Sequence, residues 1–273
     1  MAYVYQGGGA LDYRACHYGA SRVQFRGPQA RLDGNHIAVL GGTETYGKFI
    51  PAPWPDLLSR LTGAEVANLG AVNAGVDLYL NEPSVMEVAA KARVTVVQVM
   101  GAHNLSNRYY AVHPRRNDRF LGATPLLRTL FREADFTEYN FTRHLLAGLH
   151  RISSQRFDRL AEELRQCWLL KMRMLLQELP GRKVLLWFAD QAPRPREPHA
   201  SPEGDPMLVT REMVDAMRHL VTDYVELVVS PQMRLTGTEG MIFSAMEEPA
   251  ALSLPGPSAH EELATELARV LAS

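Results

Sequence analysis

Cysteine is scarce in this chain: two residues in 273, Cys16 and Cys167. Neither belongs to a CxxC pair or to a Cys/His spacing of the zinc-binding kind, which argues against a disulfide framework and a structural zinc. Long apolar runs are also missing, with no stretch of about 18 apolar residues to cross a bilayer. The opening Met1-Ala-Tyr-Val-Tyr-Gln has neither the basic region nor the apolar core of a signal peptide, so a cytoplasmic location is the simplest expectation. Charge of one sign is not in excess either. With 29 Lys and Arg against 30 Asp and Glu, the net charge of −1 exerts no global pull on nucleic acid or a membrane surface. Any anion preference must then be local. No internal repeat, heptad array, low-complexity tract or P-loop occurs, and no segment calls for a cofactor.

What the chain does contain is an alternation of short apolar runs and amphipathic segments. Hydrophobic residues make up 46% and charged residues 22%, enough for a sizeable core. Residues 1–35, rich in Gly, Arg and Tyr without a clear period, read as an N-terminal arm, in which 22–28 form a short edge strand. Residues 36–273 read as one domain. Strands are predicted at 36–40, 64–68, 93–100, 183–189 and 224–230, apolar and partly β-branched. Helices are predicted at 54–61, 84–92, 211–221 and 259–271. A helical region runs from Thr124 to Leu179, broken near Asp135 and Ser153, and Phe157, Leu160, Leu164, Cys167, Trp168, Leu175 and Leu179 form its apolar stripe. Residues 101–123 and the proline-rich 190–208 read as long loops. This order implies an α/β three-layer sandwich around a central five-stranded parallel sheet, with its ligand site beyond the carboxyl ends of the strands.

Four strand ends carry polar residues able to do chemistry. Gly41-Gly-Thr-Glu-Thr-Tyr-Gly47 follows the first strand and resembles the first block of the SGNH (GDSL-type) hydrolases, Gly-Asp-Ser-x-Thr-x-Gly, with Gly42 in place of the Asp and Thr43 in place of the Ser. Asn68-Leu-Gly-Ala-Val-Asn-Ala-Gly75 is similar to the second block, with Asn73 or Gly75 at the turn whose backbone N–H holds an oxyanion. Gly101-Ala-His-Asn104 is similar to the third, with His103 or Asn104 as the donor. The last block, Asp-x-x-His-Pro, is missing in direct register. His260 is the nearest histidine and has no orienting carboxylate in sequence.

The resemblance spans residues 36–272 in element order and three short blocks by residue. It implies an ester hydrolase or acyltransferase acting on a small acyl or acetyl ester, with Thr43 as nucleophile, His260 as base, and Asn104, His103, Asn73 and Gly75 around the oxyanion. Thr43 and Thr45 would equally serve as caps of the following turn. The loop Gly101-Ala-His-Asn-Leu-Ser-Asn-Arg108 also resembles that of an alphaproteobacterial lineage, a likeness that brings no activity with it.

Beyond the third block, residues 108–119 gather Arg108, Arg115, Arg116, Arg119 and His113 with Tyr109 and Tyr110 against one acid, Asp118. Guanidiniums suit carboxylate, phosphate or sulfate, and tyrosines stack on sugars. This patch supports two other expectations: a non-catalytic binding protein for a small anionic ligand, a saccharide, nucleotide or lipid headgroup, and a transferase of a charged group such as sulfate or phosphate. No nucleic-acid partner or membrane span is expected, and the oligomeric state stays open.

Overall fold

Strand β1 (Ile37–Leu40) is buried at every residue, yet its side chains alternate between two cores. Ile37 and Val39 pack into one cluster, Ala38 and Leu40 into the other, as the period of two along a strand requires. A continuous apolar run is thus a strand covered on both faces. The computed structural model describes residues 11–272.

After β1 come the short helix α1 (Thr43–Tyr46), α2 (Trp54–Thr62), β2 (Val66–Asn68), α3 (Val76–Leu80), α4 (Pro83–Ala90) and β3 (Val94–Gln98). An antiparallel pair follows, β4 (Tyr110–His113) and β5 (Arg116–Ala123), then α5 (Pro125–Leu130), α6 (Thr142–Ile152) and the long α7 (Ser154–Glu178). The chain closes with β6 (Arg182–Ala189), α8 (Arg211–Asp215), β7 (Asp223–Val228), α9 (Pro231–Thr236), α10 (Glu248–Ala251) and α11 (Pro257–Ala272).

The central sheet has five strands in the order β2-β1-β3-β6-β7, all parallel. It is sandwiched between helices, as expected. One layer packs α2 and α11, through Trp54, Leu58, Leu263 and Leu267, on Ile37, Val96, Val184 and Leu186. The other packs α3, α4, α6 and α7 on Leu40, Val97, Leu185 and Trp187. The chain lays β2 on one side of β1 and β3 on the other, so strand order reverses between β1 and β3. A crevice opens at the carboxyl ends of such a pair.

Two expectations are corrected. Residues 101–123 are not all loop, because β4 and β5 pair with buried Tyr110, Val112 and Phe120 facing the core. Residues 22–28 make a single antiparallel bridge, Cys16 to Phe25, rather than a strand. Of the expected arm, residues 1–10 lie outside the described residues. Residues 11–35 put Tyr18 and Phe25 into the main core, and buried Arg26 donates to the carbonyls of Gly47 (2.6 Å) and Pro51 (2.9 Å). Among the described residues no helix is long and apolar enough to cross a membrane.

Candidate functional site

A cavity of about 500 Å³ opens at the carboxyl edge of the sheet, over the β1–β3 crevice. Its floor includes Gly42, in the Gly41-Gly42 turn after β1. Gly41 is required by closeness: a Cβ there would lie 2.2 Å from Thr45 Oγ1 and 2.4 Å from Gln98 Oε1. Gln98, the last residue of β3, organises this floor. Its Oε1 accepts from Gly42 N (3.0 Å) and Thr45 Oγ1 (2.5 Å), and its Nε2 donates to Glu44 Oε2 (2.8 Å). Two donors at one end and a carboxylate at the other set the orientation of the amide. Tyr79 closes the back, its hydroxyl accepting from Gly41 N (2.8 Å) with the carbonyls of Gly41 and Leu69 within reach of its proton.

The wall beside this floor is a chain of hydrogen bonds through Asn73, a residue in the left-handed region (φ 55°) that asparagine tolerates better than most. Asn73 N donates to Thr43 Oγ1 (2.9 Å), and the Thr43 hydroxyl donates to Asn73 Oδ1 (3.2 Å). Asn73 Nδ2 continues to Asp118 Oδ2 (3.1 Å). Asn104 Nδ2 donates to Asn73 O (2.9 Å), while Asn104 Oδ1 accepts from Thr142 Oγ1 (2.6 Å). Thr43, Asn73, His103 and Asn104 therefore all line one cavity, three strand ends converging. Gly75 does not line it. Its N–H donates to buried Asn117 Oδ1 (2.9 Å), which also accepts from Leu78 N (3.0 Å), so the Gly75 amide is committed to starting α3.

Two ionisable groups of the cavity are displaced from their ordinary behaviour. Burial pushes the Glu44 carboxyl up to about 7; the negative charge of Asp205 pushes the same way, and the Gln98 amide and Arg143 oppose them. His103 is 5% exposed, and burial pushes it down to about 3, with Arg143 adding to the shift. It is a neutral imidazole at neutral pH, and its Nδ1 has no hydrogen-bond partner.

The Glu44 shift has a sign in stability. The folded state holds this proton more tightly than the unfolded chain, so the contribution of Glu44 is most favourable below its ordinary value of 4.5 and is lost as pH rises to about 7. Glu44→Gln is expected to raise stability at pH 8 by on the order of 1–3 kcal/mol and to flatten that window. Urea denaturation from pH 4 to 8 measures it, and an unchanged profile would place the ionised carboxylate in water.

Other expected site residues lie elsewhere. His260 is buried in the α2–α11 layer and does not line the cavity. Its Nδ1 accepts from Trp54 N (3.1 Å), the ring stands edge-on to Phe188, and the remaining N–H faces the Pro255 carbonyl. With both nitrogens occupied by backbone, it has none free to act as base to Thr43. The arginine loop is outside the cavity as well. Arg108 is bound to Glu163 and Arg115 to Glu82, which also accepts from Ser21. His113 Nδ1 accepts from Arg115 N (3.2 Å), Tyr109 holds Thr124 through its backbone carbonyl, and Arg116 and Arg119 are exposed on β5. Arg108 and Arg115 thus tie the hairpin to neighbouring elements.

Glu44, Gln98, Arg143, Asp205 and Phe188 line the cavity without having been predicted. Gln98 had a signal, a polar side chain within an apolar strand. Glu44 sits inside the Gly41–Gly47 block. Arg143 on α6 and Asp205 in the 190–208 loop come together only in the fold, as an ion pair at 2.7 Å. Among the described residues no group of three His, Cys, Asp or Glu is placed to hold a metal.

Comparison with solved structures gives distant likenesses. One crystal structure is 16% identical with a TM-score of 0.40, the match covering 89% of this chain and 98% of the other. A second structure, BT4096, a gut microbial diltiazem-metabolizing enzyme, is 10% identical with a TM-score of 0.39, over 90% of this chain and 48% of the enzyme. No curated protein matches. A family model does match, over residues 1–273, and the chain belongs to that family, described as a domain of unknown function, DUF6473.

Proposed function

We propose that the protein binds a small molecule in the cavity at the carboxyl edge of its sheet, on an SGNH-like plan from which the histidine-dependent acyl transfer has been lost. One observation carries this reading: the Thr43 hydroxyl is closed on Asn73, accepting from its backbone and donating to its side chain, with no imidazole hydrogen-bonded to it among the described residues. A nucleophilic hydroxyl needs a base within hydrogen-bonding reach. Here the hydroxyl acts as a clamp that holds the 73–75 turn against the β1 turn. The cavity is otherwise well suited to a ligand. Polar groups gather at the β1–β3 end, and Phe141, Phe188, Val229, Met233 and Leu254 line the rest, the usual mixture of apolar wall and a few polar anchors.

A second reading, an ester hydrolase or acyltransferase with Thr43 as nucleophile, has one observation in its favour: Glu44, adjacent in sequence, lines the same cavity and titrates near neutrality. Short-chain aryl ester hydrolysis separates the two. The binding reading predicts rates at buffer background for wild type, Thr43→Ala and Glu44→Gln alike. Turnover that falls by several orders of magnitude in Thr43→Ala and survives in Thr45→Ala would replace it with the hydrolase.

A further inference from the structure

Away from the strand-end cavity, one buried charge is left without a counter-ion. Arg165 on α7 is 9% exposed, and its one hydrogen bond among the described residues is a long one, from Nε to the Leu208 carbonyl (3.4 Å). No carboxylate of the described residues stands within 4.0 Å of it. Arg26, the other buried arginine, spends its guanidinium on the carbonyls of Gly47 and Pro51. Arg165 leaves both Nη groups unspent, and neither is sealed from solvent. A buried charge that is not paired is costly, so such a group calls for a partner.

The part of Arg165 that reaches solvent opens into a small pocket of about 130 Å³ between α7, α8 and the 190–208 segment, which shares no lining residue with the strand-end cavity. A second guanidinium, Arg196, lines it, and so does one carboxylate, Glu212. The acids of this neighbourhood are already taken. Glu212 accepts from Arg196 N (3.2 Å to each oxygen) and from the Thr210 side chain. Glu162 holds Arg196 Nη2 (2.7 Å), and Asp158 accepts from Ala200 N (2.7 Å) and meets His199 (3.0 Å). Burial lowers the Arg165 guanidinium from its ordinary value and the charge of Arg196 pushes the same way, while Glu162, Asp158 and Glu212 oppose them from beyond ion-pair distance.

We propose that this pocket binds a small oxyanion, a phosphate, sulfate or carboxylate group, on the free Nη groups of Arg165 with Arg196 as the second cation. The geometry favours this class over the others. A cation would meet two guanidiniums, and a neutral ligand would satisfy the N–H groups while leaving the buried charge uncompensated. A guanidinium fork matches the spacing of two oxygens on one centre. Leu169 and Met213 complete the lining and keep bulk water from one side of the contact, where a charged hydrogen bond is screened least.

Thermal-shift titration of the full chain with sodium phosphate, sulfate and acetate, each against sodium chloride at matched ionic strength, tests it. At least one oxyanion is expected to raise the melting temperature along a saturating curve that chloride does not reproduce, as a ligand selective for the folded state does. Arg165→Gln should weaken that oxyanion by about tenfold or more. Arg196→Gln, at a half-exposed side chain shared with Glu162, should weaken it by about threefold. Glu212→Gln removes the one negative charge of the lining and should tighten binding by about threefold. Arg173→Gln, exposed on α7 outside the pocket, should leave it unchanged. Melts without ligand establish that each variant is folded, and the Arg196 and Glu212 variants carry the test if Arg165→Gln is not. The absence of a saturating shift with all three oxyanions overturns the site, as does a shift that moves with none of the three pocket variants.

Discussion

Gly75→Ala is expected to cost more than about 3 kcal/mol and to disrupt the cavity wall, the largest single-methyl effect anticipated in this protein. Gly75 has φ of −115°, so alanine meets no dihedral penalty. The difficulty is space: a Cβ would lie 1.8 Å from the carbonyl oxygen of Asn104 and 2.8 Å from its carbonyl carbon. Neither segment can easily yield. The 73–75 turn is tied to Thr43 and Asn117, and Asn104 is tied to Asn73 and Thr142. Gly122→Ala is the control, because nothing lies within 4 Å of the added methyl, and a change within about 0.5 kcal/mol is expected. Denaturant unfolding of the two variants reads the difference directly, and equal stabilities would show that the strand-end turns are loosely packed.

His260→Ala is expected to lose about 2–4 kcal/mol of stability while leaving the cavity of the folded protein unchanged. The imidazole fills space against Phe188 and accepts the Trp54 N–H at the start of α2, so its removal leaves both a void and an unsatisfied buried donor. The variant also carries a pH signature. Burial pushes His260 down from 6.5 to about 3, so the unfolded chain binds this proton first and stability is lost as pH falls from about 6.5 toward 3. His103 behaves in the same sense, and the Glu44 contribution runs the opposite way between about 4.5 and 7. Removing His260 should therefore reduce the acid loss without abolishing it. A variant that is fully stable yet loses ligand binding would move His260 into the site.

The parallel sheet was legible because its strands are apolar runs ended by glycine, proline or a polar residue, a pattern that local composition alone carries. Its boundaries moved by one or two residues, inward at 64–68, where β2 covers Val66–Asn68, and outward by one residue at the starts of β6 and β7. The β4–β5 pair was not legible: Arg, Tyr and Pro dominate 108–119, and only every second residue faces the core. The site was legible where it stands on strand ends, which is why Thr43, Asn73, His103 and Asn104 meet. Helical phase was the failure at His260. Sequence places it at the first turn of α11, and only packing decides that this turn faces Trp54 and Phe188 rather than the cavity. The partners of the arginine loop were not legible for a related reason, since Glu163 and Glu82, distant in sequence, reach Arg108 and Arg115 only in the fold.

The most direct measurement of the central claim is covalent trapping at Thr43. Protein incubated with a reactive aryl acetate, quenched in acid and digested, is read by peptide mass spectrometry across residues 36–48. A hydroxyl closed on Asn73, with no imidazole hydrogen-bonded to it among the described residues, is predicted to carry no acetyl group above the level seen in Thr45 or in acid-denatured protein. A stoichiometric acetyl adduct on Thr43 that forms in the native protein and decays with turnover would contradict the account and restore acyl transfer to this site.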